Sequence, residues 1–198
     1  MRESARAVTA AQRREDRRAR ILDAAREQFE TEGVGGLNIR AIAARAGMPA
    51  MTLYGYFPSK THIVRALWAQ AMEPLAGELD AVEAAAAEPK ARLLRVSQAL
   101  VDYWVRSPNR YRIVYLVEDR REEDHDRWFF EERVAVAAYA RFAPLIAAAR
   151  GNVGGNYIRE AEALVCGLIG IVHMRVTISE YRWASSEVYV DLIVRAFV

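Results

Sequence analysis

The chain has 198 residues, of which 53% are hydrophobic and 27% charged, and its formal net charge at pH 7 is +2. This composition is typical of a globular protein and argues against a wholly disordered chain. The longest apolar run, residues 163–172, is too short to span a bilayer, so no membrane partner is expected. A single cysteine, Cys166, excludes an internal disulfide framework and favours a cytoplasmic location.

Positive charge is concentrated near the N-terminus. Residues 1–60 hold eleven Lys/Arg against seven Asp/Glu, and the first twenty residues alone hold seven arginines against three acids. Two interpretations are open at this point. The basic end is either a surface that binds a polyanion or a solvated tail.

The first predicted elements are a tail and a helix. Residues 1–12 have no apolar periodicity and are predicted to be a disordered basic tail. From about residue 13 to residue 32 the apolar positions recur every four residues, which predicts a helix, and Gly33 stands where a helix stop belongs. We expect this helix to support the elements that follow.

Two short helices are predicted next, over residues 38–57. Asn38 is a good N-cap for the first, and Gly47 supplies the positive φ that a tight turn between helices needs. Pro49 can begin the second helix, which ends before Pro58 because the residue preceding a proline is pushed out of the helical region. Two short helices joined by a tight turn form a helix-turn-helix pattern. We therefore predict a DNA-binding domain over residues 13–72.

The rest of the chain, residues 73–198, predicts a larger helical domain. No stretch shows sustained period-two alternation, so the fold class is all-α with about nine helices in total. Ser59 caps a long helix that continues through Pro74. Further helices are expected at about residues 88–106, 108–119, 125–150, 156–180 and 185–198.

The second helix of the pair has two distinct faces. At 100° per residue, Leu53 and Phe57 lie together and are expected to pack inward. Met51, Thr52 and Gly55 lie on the opposite side, which is uncharged, partly apolar and able to approach another surface closely. Such a face is unusual in water and suits the major groove of DNA.

Detailed motifs strengthen this interpretation. The stretch LNIRAIAARAGMPAMTLYGYFPSKTHIVRAL (residues 37–67) resembles the N-terminal DNA-binding domain of the TetR family of bacterial transcriptional regulators, which shares a TLYxxFxxK signature after an AxxAG turn. The stretch ILDAAREQFETEG (residues 21–33) resembles the family's first helix. The resemblance covers about residues 14–70 and does not extend usefully into the C-terminal two-thirds.

The resemblance implies roles for individual residues. Met51 and Thr52 are expected to reach base edges, and Arg40 a base or a phosphate. Tyr54, Tyr56 and Lys60 are expected to bind phosphates. Lys60 also stands at a helix N-terminus, which favours anions. Pro49 stands where a capping serine is common, and Gly55 leaves an outward position without a side chain. The complete set of predicted DNA-binding residues is Arg40, Ala50, Met51, Thr52, Tyr54, Gly55, Tyr56 and Lys60.

Four of these residues have an alternative interpretation that the sequence leaves open. Tyr54 and Tyr56 fit half-buried aromatics with wet hydroxyls, Lys60 fits a solvated lysine, and Arg40 fits an ion pair with a nearby acid. Because the predicted reading face has few hydrogen-bonding groups, we expect base readout to rely on thymine methyl groups, Arg40 and DNA shape.

The C-terminal domain carries two weaker predictions. Small residues form a stripe along the helix near residues 156–180, which permits close packing against a symmetry mate, and the resemblance implies a homodimer through the last two helices. The predicted interface residues are Ala163, Gly167, Gly170, Met174, Tyr189, Leu192 and Ala196. Clustered aromatics also predict an apolar pocket for an effector. The candidate pocket residues are Tyr103, Trp104, Tyr111, Tyr115, Trp128, Phe142 and His173, although ordinary core packing is an equally natural interpretation.

The sequence therefore predicts a homodimeric regulator, most simply a repressor that an unknown small molecule releases from a palindromic double-stranded operator. The alternative is a DNA-binding regulator without an inducer, acting as an activator or controlled by a protein partner. No enzyme activity, cofactor or metal is expected, since His62, His125 and His173 lack the spacing of metal ligands and no nucleotide-binding fingerprint occurs.

Overall fold

The structure, a computed structural model, describes residues 2–117 and 129–198. Within these ranges the chain is helical and has no strand, so the all-α prediction is confirmed. A 3-10 turn, Phe129–Glu131, precedes the seventh helix. The helices are α1 (Arg2–Gly36), α2 (Ile39–Arg45), α3 (Ala50–Tyr54), α4 (Lys60–Ala85), α5 (Pro89–Arg106), α6 (Pro108–Tyr115), α7 (Arg133–Tyr139), α8 (Phe142–Ala149), α9 (Ile158–Thr177) and α10 (Ser186–Arg195).

Helix α1 differs from its prediction at its start. It begins at Arg2, so residues 2–12, for which the sequence analysis predicts a disordered tail, lie in a continuous helix. Once a helix is nucleated, each further residue adds a hydrogen bond, and alanine and arginine extend it readily without an apolar face. The predicted stop is found at Gly33, whose φ of 69° interrupts the helical backbone.

The helix-turn-helix forms as the local sequence predicts. The Asn38 side chain accepts hydrogen bonds from the backbone N–H groups of Arg40 and Ala41 and so caps α2. Gly47 has a φ of 67° in the turn between α2 and α3. Ala43 is buried where the two helices approach each other.

Helix α4 joins the two predicted domains, because the expected boundary near residue 72 falls inside it. The indole N–H of Trp68 donates to the backbone carbonyl of Ile113 over 2.7 Å, which ties α4 to α6. Asn109 at the start of α6 donates to Glu30 of α1 over 3.1 Å. The predicted DNA-binding domain is thus attached to the body through both α4 and α6.

The prediction of a single helix over residues 125–150 is wrong in its described part. Two helices, α7 and α8, meet there at a turn around Ala140 and Arg141. Pro144 has no N–H to donate to the carbonyl of Ala140, so it is accommodated in the first turn of a new helix. Arg141 fixes the turn with ion pairs to α4, at 2.9 Å from Asp80 and 3.1 Å from Glu83.

Candidate nucleic-acid interface

Helix α3 presents the face that its sequence predicts. Leu53 and Phe57 are buried, with exposed fractions of 0% and 3%, and they anchor the helix to the core. Met51 is 81% exposed, and Thr52 and Gly55 are also exposed. The exposed face therefore carries one hydroxyl, one thioether and one bare stretch of backbone.

The backbone of α3 is set by residues at its two ends. Pro49 is the N-cap in extended conformation, and its carbonyl accepts from the N–H of Thr52 over 3.0 Å. Proline offers no side-chain cap, so the entry to α3 lacks the hydrogen bond that a serine would provide. At the other end, a Cβ on Gly55 would lie 3.3 Å from the carbonyl oxygen of Thr52, so the helix is tight at this residue.

The predicted cations lie on the surface around α3. Arg40 is exposed in the first turn of α2, and the described residues include no ion pair for it, contrary to the alternative that it pairs with an acid. Lys60 is the first residue of α4 and is exposed, and the preceding Ser59 caps the helix by accepting from the N–H of His62. Both cations are therefore placed at helix N-termini, where they can meet an anion.

The two tyrosines differ in their surroundings. Tyr54 is 46% exposed, whereas Tyr56 is half-buried and its ring lies beneath the guanidinium of Arg14, 5.4 Å from the ring centroid. Ala50 is half-buried at the start of α3. Arg14 is not in the predicted DNA-binding set. The sequence signal that includes it is the excess of arginine in the first twenty residues.

The predicted pocket residues form a packed cluster in the body. Trp104 is fully buried and meets Tyr103, Tyr111 and Tyr115 edge-on, with ring centroids 5.0, 6.3 and 5.3 Å away. Tyr111 and Tyr115 stack at 5.0 Å. The hydroxyl of Tyr111 is 3.0 Å from the Nδ1 atom of His173, and Phe142 is buried in the core. Trp128 lies outside the described residues.

Burial controls the acidity of this cluster. Burial raises the pKa of Tyr111 to about 12 and raises that of Tyr103 above its usual value, because a buried phenolate would lose its solvation. The hydroxyls of Tyr115 and Tyr139 are hydrogen-bonded to each other, and burial holds the pKa of both well above the ordinary value of tyrosine. The tyrosines of the cluster are therefore neutral over the physiological pH range.

An apolar groove of about 760 Å³ lies beside this cluster, between α7, α8 and α9. Of the predicted pocket residues that the structure describes, none lines the groove. Tyr139 forms part of its wall, and its hydroxyl also contacts the sulfur of Met72 on α4 at 3.9 Å. The lining residues are Ala135, Val136, Tyr139, Ala140, Ala143, Ile158, Ala161, Glu162, Val165 and Cys166.

The predicted interface residues divide into two groups. Gly167 packs within the chain, where a Cβ would lie 3.4 Å from Ile193 of α10, and the Tyr189 hydroxyl accepts from the N–H of Ala184. The others lie on an exposed apolar face of α9, α10 and the residues that follow each of these helices, and this face includes three large residues not predicted from the sequence. Its members are Ala163, Gly170, Met174, Ile178, Tyr181, Val188, Leu192 and Ala196.

Metal ligands and membrane spans are absent from the part of the chain that the structure describes, residues 2–117 and 129–198. No group of three or more His, Cys, Asp or Glu side chains there is placed to hold a metal ion. No helix in the same ranges combines the length and hydropathy that crossing a membrane requires.

The N-terminal region is similar in sequence to known regulatory proteins. Residues 21–67 match the sequence profile of the bacterial regulatory proteins of the tetR family. The HTH-type transcriptional repressor KstR of Mycolicibacterium smegmatis is 36% identical over 78 residues, which are 39% of this chain and 38% of that protein. The chain thus matches about two fifths of the length of this curated relative.

Solved structures share the fold over nearly the whole chain. A TetR-like transcriptional regulator from Rhodococcus sp. RHA1 has a TM-score of 0.62 and 18% identity, covering 91% of this chain and 93% of that one. The fatty acid degradation regulator FadR from Bacillus halodurans has a TM-score of 0.63 and 16% identity, covering 90% and 96%. At these identities the likeness establishes the architecture of the body and not its ligand.

Proposed function

We propose that this chain, whose residues 21–67 belong to the tetR family, is a homodimeric transcriptional repressor that a small molecule releases from its operator. The observation that carries the proposal is the exposed, uncharged face of α3, held on a helix-turn-helix with Arg40 and Lys60 beside it. A repressor is favoured because the matched relative KstR is described as a transcriptional repressor.

On DNA, some residues around α3 contact bases and others contact phosphates. Met51 and Thr52 meet base edges in the major groove, and Gly55 lets the backbone approach closely. Tyr54, Tyr56 and Lys60 hold phosphates, and Ala50 packs at the start of the reading helix. Phosphate contacts set the position of α3, and the sparse base contacts supply the specificity.

Dimerisation uses the exposed apolar face of α9 and α10. Met174 is 40% exposed, Ile178 47% and Leu192 62%, and large apolar side chains grouped in this way indicate an interaction surface. A two-fold dimer buries the same patch of both copies and presents two α3 helices to successive major grooves, about 34–36 Å apart. The two-fold symmetry of the dimer thereby matches the symmetry of a palindromic operator.

The effector binds in the groove between α7, α8 and α9. Its volume of about 760 Å³ suits a small molecule, and its lining is apolar apart from a few groups such as Tyr139 and Glu162. Tyr139 links the groove to α4, since its hydroxyl contacts the sulfur of Met72. A ligand that displaces Tyr139 shifts α4 and with it the spacing of the two α3 helices, provided that it binds the DNA-free conformer more tightly.

The DNA claim is tested with the two lysines of the chain. Lys60 follows the N-cap of α4, and Lys90 occupies a comparable place near the N-terminus of α5, so Lys90→Ala is a matched control. Operators selected from a random duplex pool are titrated across a range of salt concentrations. Lys60→Ala should weaken binding to all sequences and make the fall of log K with log salt less steep by about 0.9 for each phosphate that is no longer neutralised.

Thr52→Ala in the same assay should relax sequence preference while leaving the salt slope unchanged, because a base contact carries specificity and not counterion release. If both Lys60→Ala and Thr52→Ala select and bind operators as the wild type does, the assignment of this surface is wrong.

The dimer claim is tested by Leu192→Glu, which places a charge on the exposed face of α10. Light scattering should show a monomer, since burying an unpaired carboxylate between two copies is unfavourable. Val153→Glu is the control, because Val153 is 82% exposed in the loop before α9. An unchanged dimer for Leu192→Glu would contradict the interface.

The effector claim is tested by thermal-shift screening of apolar small molecules against the wild type and Ala143→Trp, which fills the groove. A compound that stabilises the wild type and releases operator, but does neither with the filled variant, supports the site. Tight operator binding with no stabilising compound would instead favour a regulator controlled by a protein partner.

A further inference from the structure

Helix α1 continues well before the point at which it joins the core. From residue 9 onward its first fully buried residue is Ile21, and the side chains of residues 9–17 are exposed. Residues 9–20 add about 18 Å of helix beyond the core at 1.5 Å per residue. None of the side chains of this segment, which we call the α1 extension, is buried, so apolar burial does not account for its place beside the helix-turn-helix.

The arginines of the α1 extension share one face. At 100° per residue, all five lie within an arc of about 160°, and the two acids, Glu15 and Asp16, fall outside it. A scattered, purely solubilising set of charges would not leave the acids on the opposite side. The arginines are Arg13, Arg14, Arg17, Arg18 and Arg20.

This arginine face continues the buried face of α1. Ile21, Ala24 and Ala25 lie at the same angles around the helix and are buried against the rest of the domain. The same face of α1 therefore carries arginines before Ile21 and packs inward from Ile21 onward. The α1 extension directs its positive charge toward the side of the helix-turn-helix, and the opposite side of the extension faces away from it.

Contacts fix the extension beside the predicted DNA surface. The Arg14 guanidinium lies 5.4 Å from the centroid of the Tyr56 ring, and that of Arg18 lies 5.2 Å from the centroid of Phe57. Arg20 donates to the backbone carbonyl of Ala46 in the turn before α3. These three contacts hold the arginines against the ends of α3 and at a tyrosine that is proposed to bind phosphate.

Three arginines of the face remain available for a ligand. Among the described residues, Arg13 and Arg17 have no ion pair, and Arg14 has only its contact with Tyr56, whereas Arg18 lies 3.7 Å from Glu15. Exposed guanidinium groups that adjoin a major-groove reading helix are suited to successive phosphates of a duplex.

We infer that the α1 extension is a second DNA-binding element, in which Arg13, Arg14 and Arg17 bind the phosphodiester backbone next to the segment read by α3. The inference rests on the proposed function, because it takes the duplex to lie against α3. It adds contacts outside the helix-turn-helix and outside residues 21–67. These contacts supply affinity and salt dependence and no base specificity.

The test replaces two arginines at once. Arg14→Ala/Arg17→Ala is compared with Arg159→Ala/Arg182→Ala, which removes the same charge from exposed positions on the body. Binding of a 30-base-pair duplex of arbitrary sequence, and of a selected operator, is followed by fluorescence anisotropy across a salt series. Circular dichroism checks that α1 is retained, which is expected because alanine favours helix more than arginine does.

In the extension variant the fall of log K with log salt should become less steep by about 0.9 for each phosphate that it no longer binds, and both duplexes should bind at least about tenfold more weakly near 0.1 M salt. Its ranking of operator sequences should match that of the wild type. The body control should change neither slope nor affinity.

The outcomes separate the two hypotheses. A wild type that binds no duplex at any salt concentration overturns the proposed function, and this inference with it. A wild type that binds with a steep slope, together with an extension variant that keeps that slope, overturns this inference alone. An equally weakened body control also overturns it, because net charge and not the position of the arginines would then explain the effect.

Discussion

Aromatic residues behave differently at the two ends of this molecule. In the DNA-binding domain, Tyr54 is exposed and Tyr56 half-buried under an arginine, so their hydroxyls can reach an outside partner. In the body, Trp104 and Tyr111 are buried and contact one another edge-on. The same residue types thus build a surface in one region and a core in the other, and only the surrounding pattern distinguishes them.

The two regions also differ in which positions tolerate change. A short helix such as α3 needs two buried anchors, Leu53 and Phe57, and leaves its other positions free for contact with a ligand. The body has no such division in its aromatic cluster, where Trp104 alone contacts three tyrosine rings. Substitutions should therefore cost stability in the body and binding in the exposed part of the DNA-binding domain.

The largest expected effect is that of Trp104→Ala. Removing this fully buried indole should lower the free energy of unfolding by about 3–5 kcal/mol. Tyr54→Ala is the matched aromatic change on the surface and should stay within about 0.5 kcal/mol. Denaturant titrations of both variants measure the difference. If Trp104→Ala fails to fold, Trp104→Phe should show a smaller decrease in the same direction, and equal decreases for Trp104→Phe and Tyr54→Ala would contradict the contrast.

The next effect is a loss of stability at alkaline pH that originates in the body. In the folded protein the pKa of Tyr115 and of Tyr139 lies above the unfolded value near 10. The contribution of these neutral tyrosines to stability is therefore fully present below the unfolded value, and it is lost as the pH rises through the folded pKa. Melting temperatures should fall between about pH 10 and pH 12. Tyr115→Phe should show a shallower fall and Tyr54→Phe, on the surface, the same fall as the wild type.

The contrast between the regions explains what could be predicted from the sequence. The Asn38 cap, the positive φ of Gly47 and the inward positions of Leu53 and Phe57 follow from local spacing, and the structure confirms them. The break between α7 and α8 depends on where Pro144 falls relative to a helix start, which a periodicity argument over residues 125–150 passes over.

The candidate sites in the body were harder to predict for a physical reason. A pocket is defined by space between helices, and the sequence shows which rings are apolar but not which of them fill that space. Tyr111 and Trp104 pack against each other, whereas the groove is lined mostly by small residues such as Ala135 and Ala161. Likewise, Gly167 faces α10 of its own chain, which helical spacing alone does not reveal.

A smaller effect separates two glycines. Gly47 has a φ of 67°, so Gly47→Ala should cost about 1–2 kcal/mol, because a Cβ in the left-handed region meets the following carbonyl oxygen. Gly77 lies inside α4 with open space around the position of a Cβ, so Gly77→Ala should instead stabilise by about 0.5–1 kcal/mol. Thermal unfolding of the two variants gives opposite shifts if the turn requires glycine, and a neutral Gly47→Ala would show that it does not.

The smallest expected effect on stability is that of Met51→Ala, and it tests the exposed face most directly. At 81% exposure the side chain supports nothing in the free protein, so the free energy of unfolding should change by less than about 0.5 kcal/mol. On DNA the same side chain has only its apolar surface to offer, and thymine methyl groups are the apolar feature of the major groove. Replacing one contacted thymine by uracil should weaken wild-type binding about fourfold, from about 0.8 kcal/mol per buried methyl group. Met51→Ala should bind the two operators alike, because the partner of that methyl group is gone; a difference of about fourfold that persists in the variant would assign the contact to another residue.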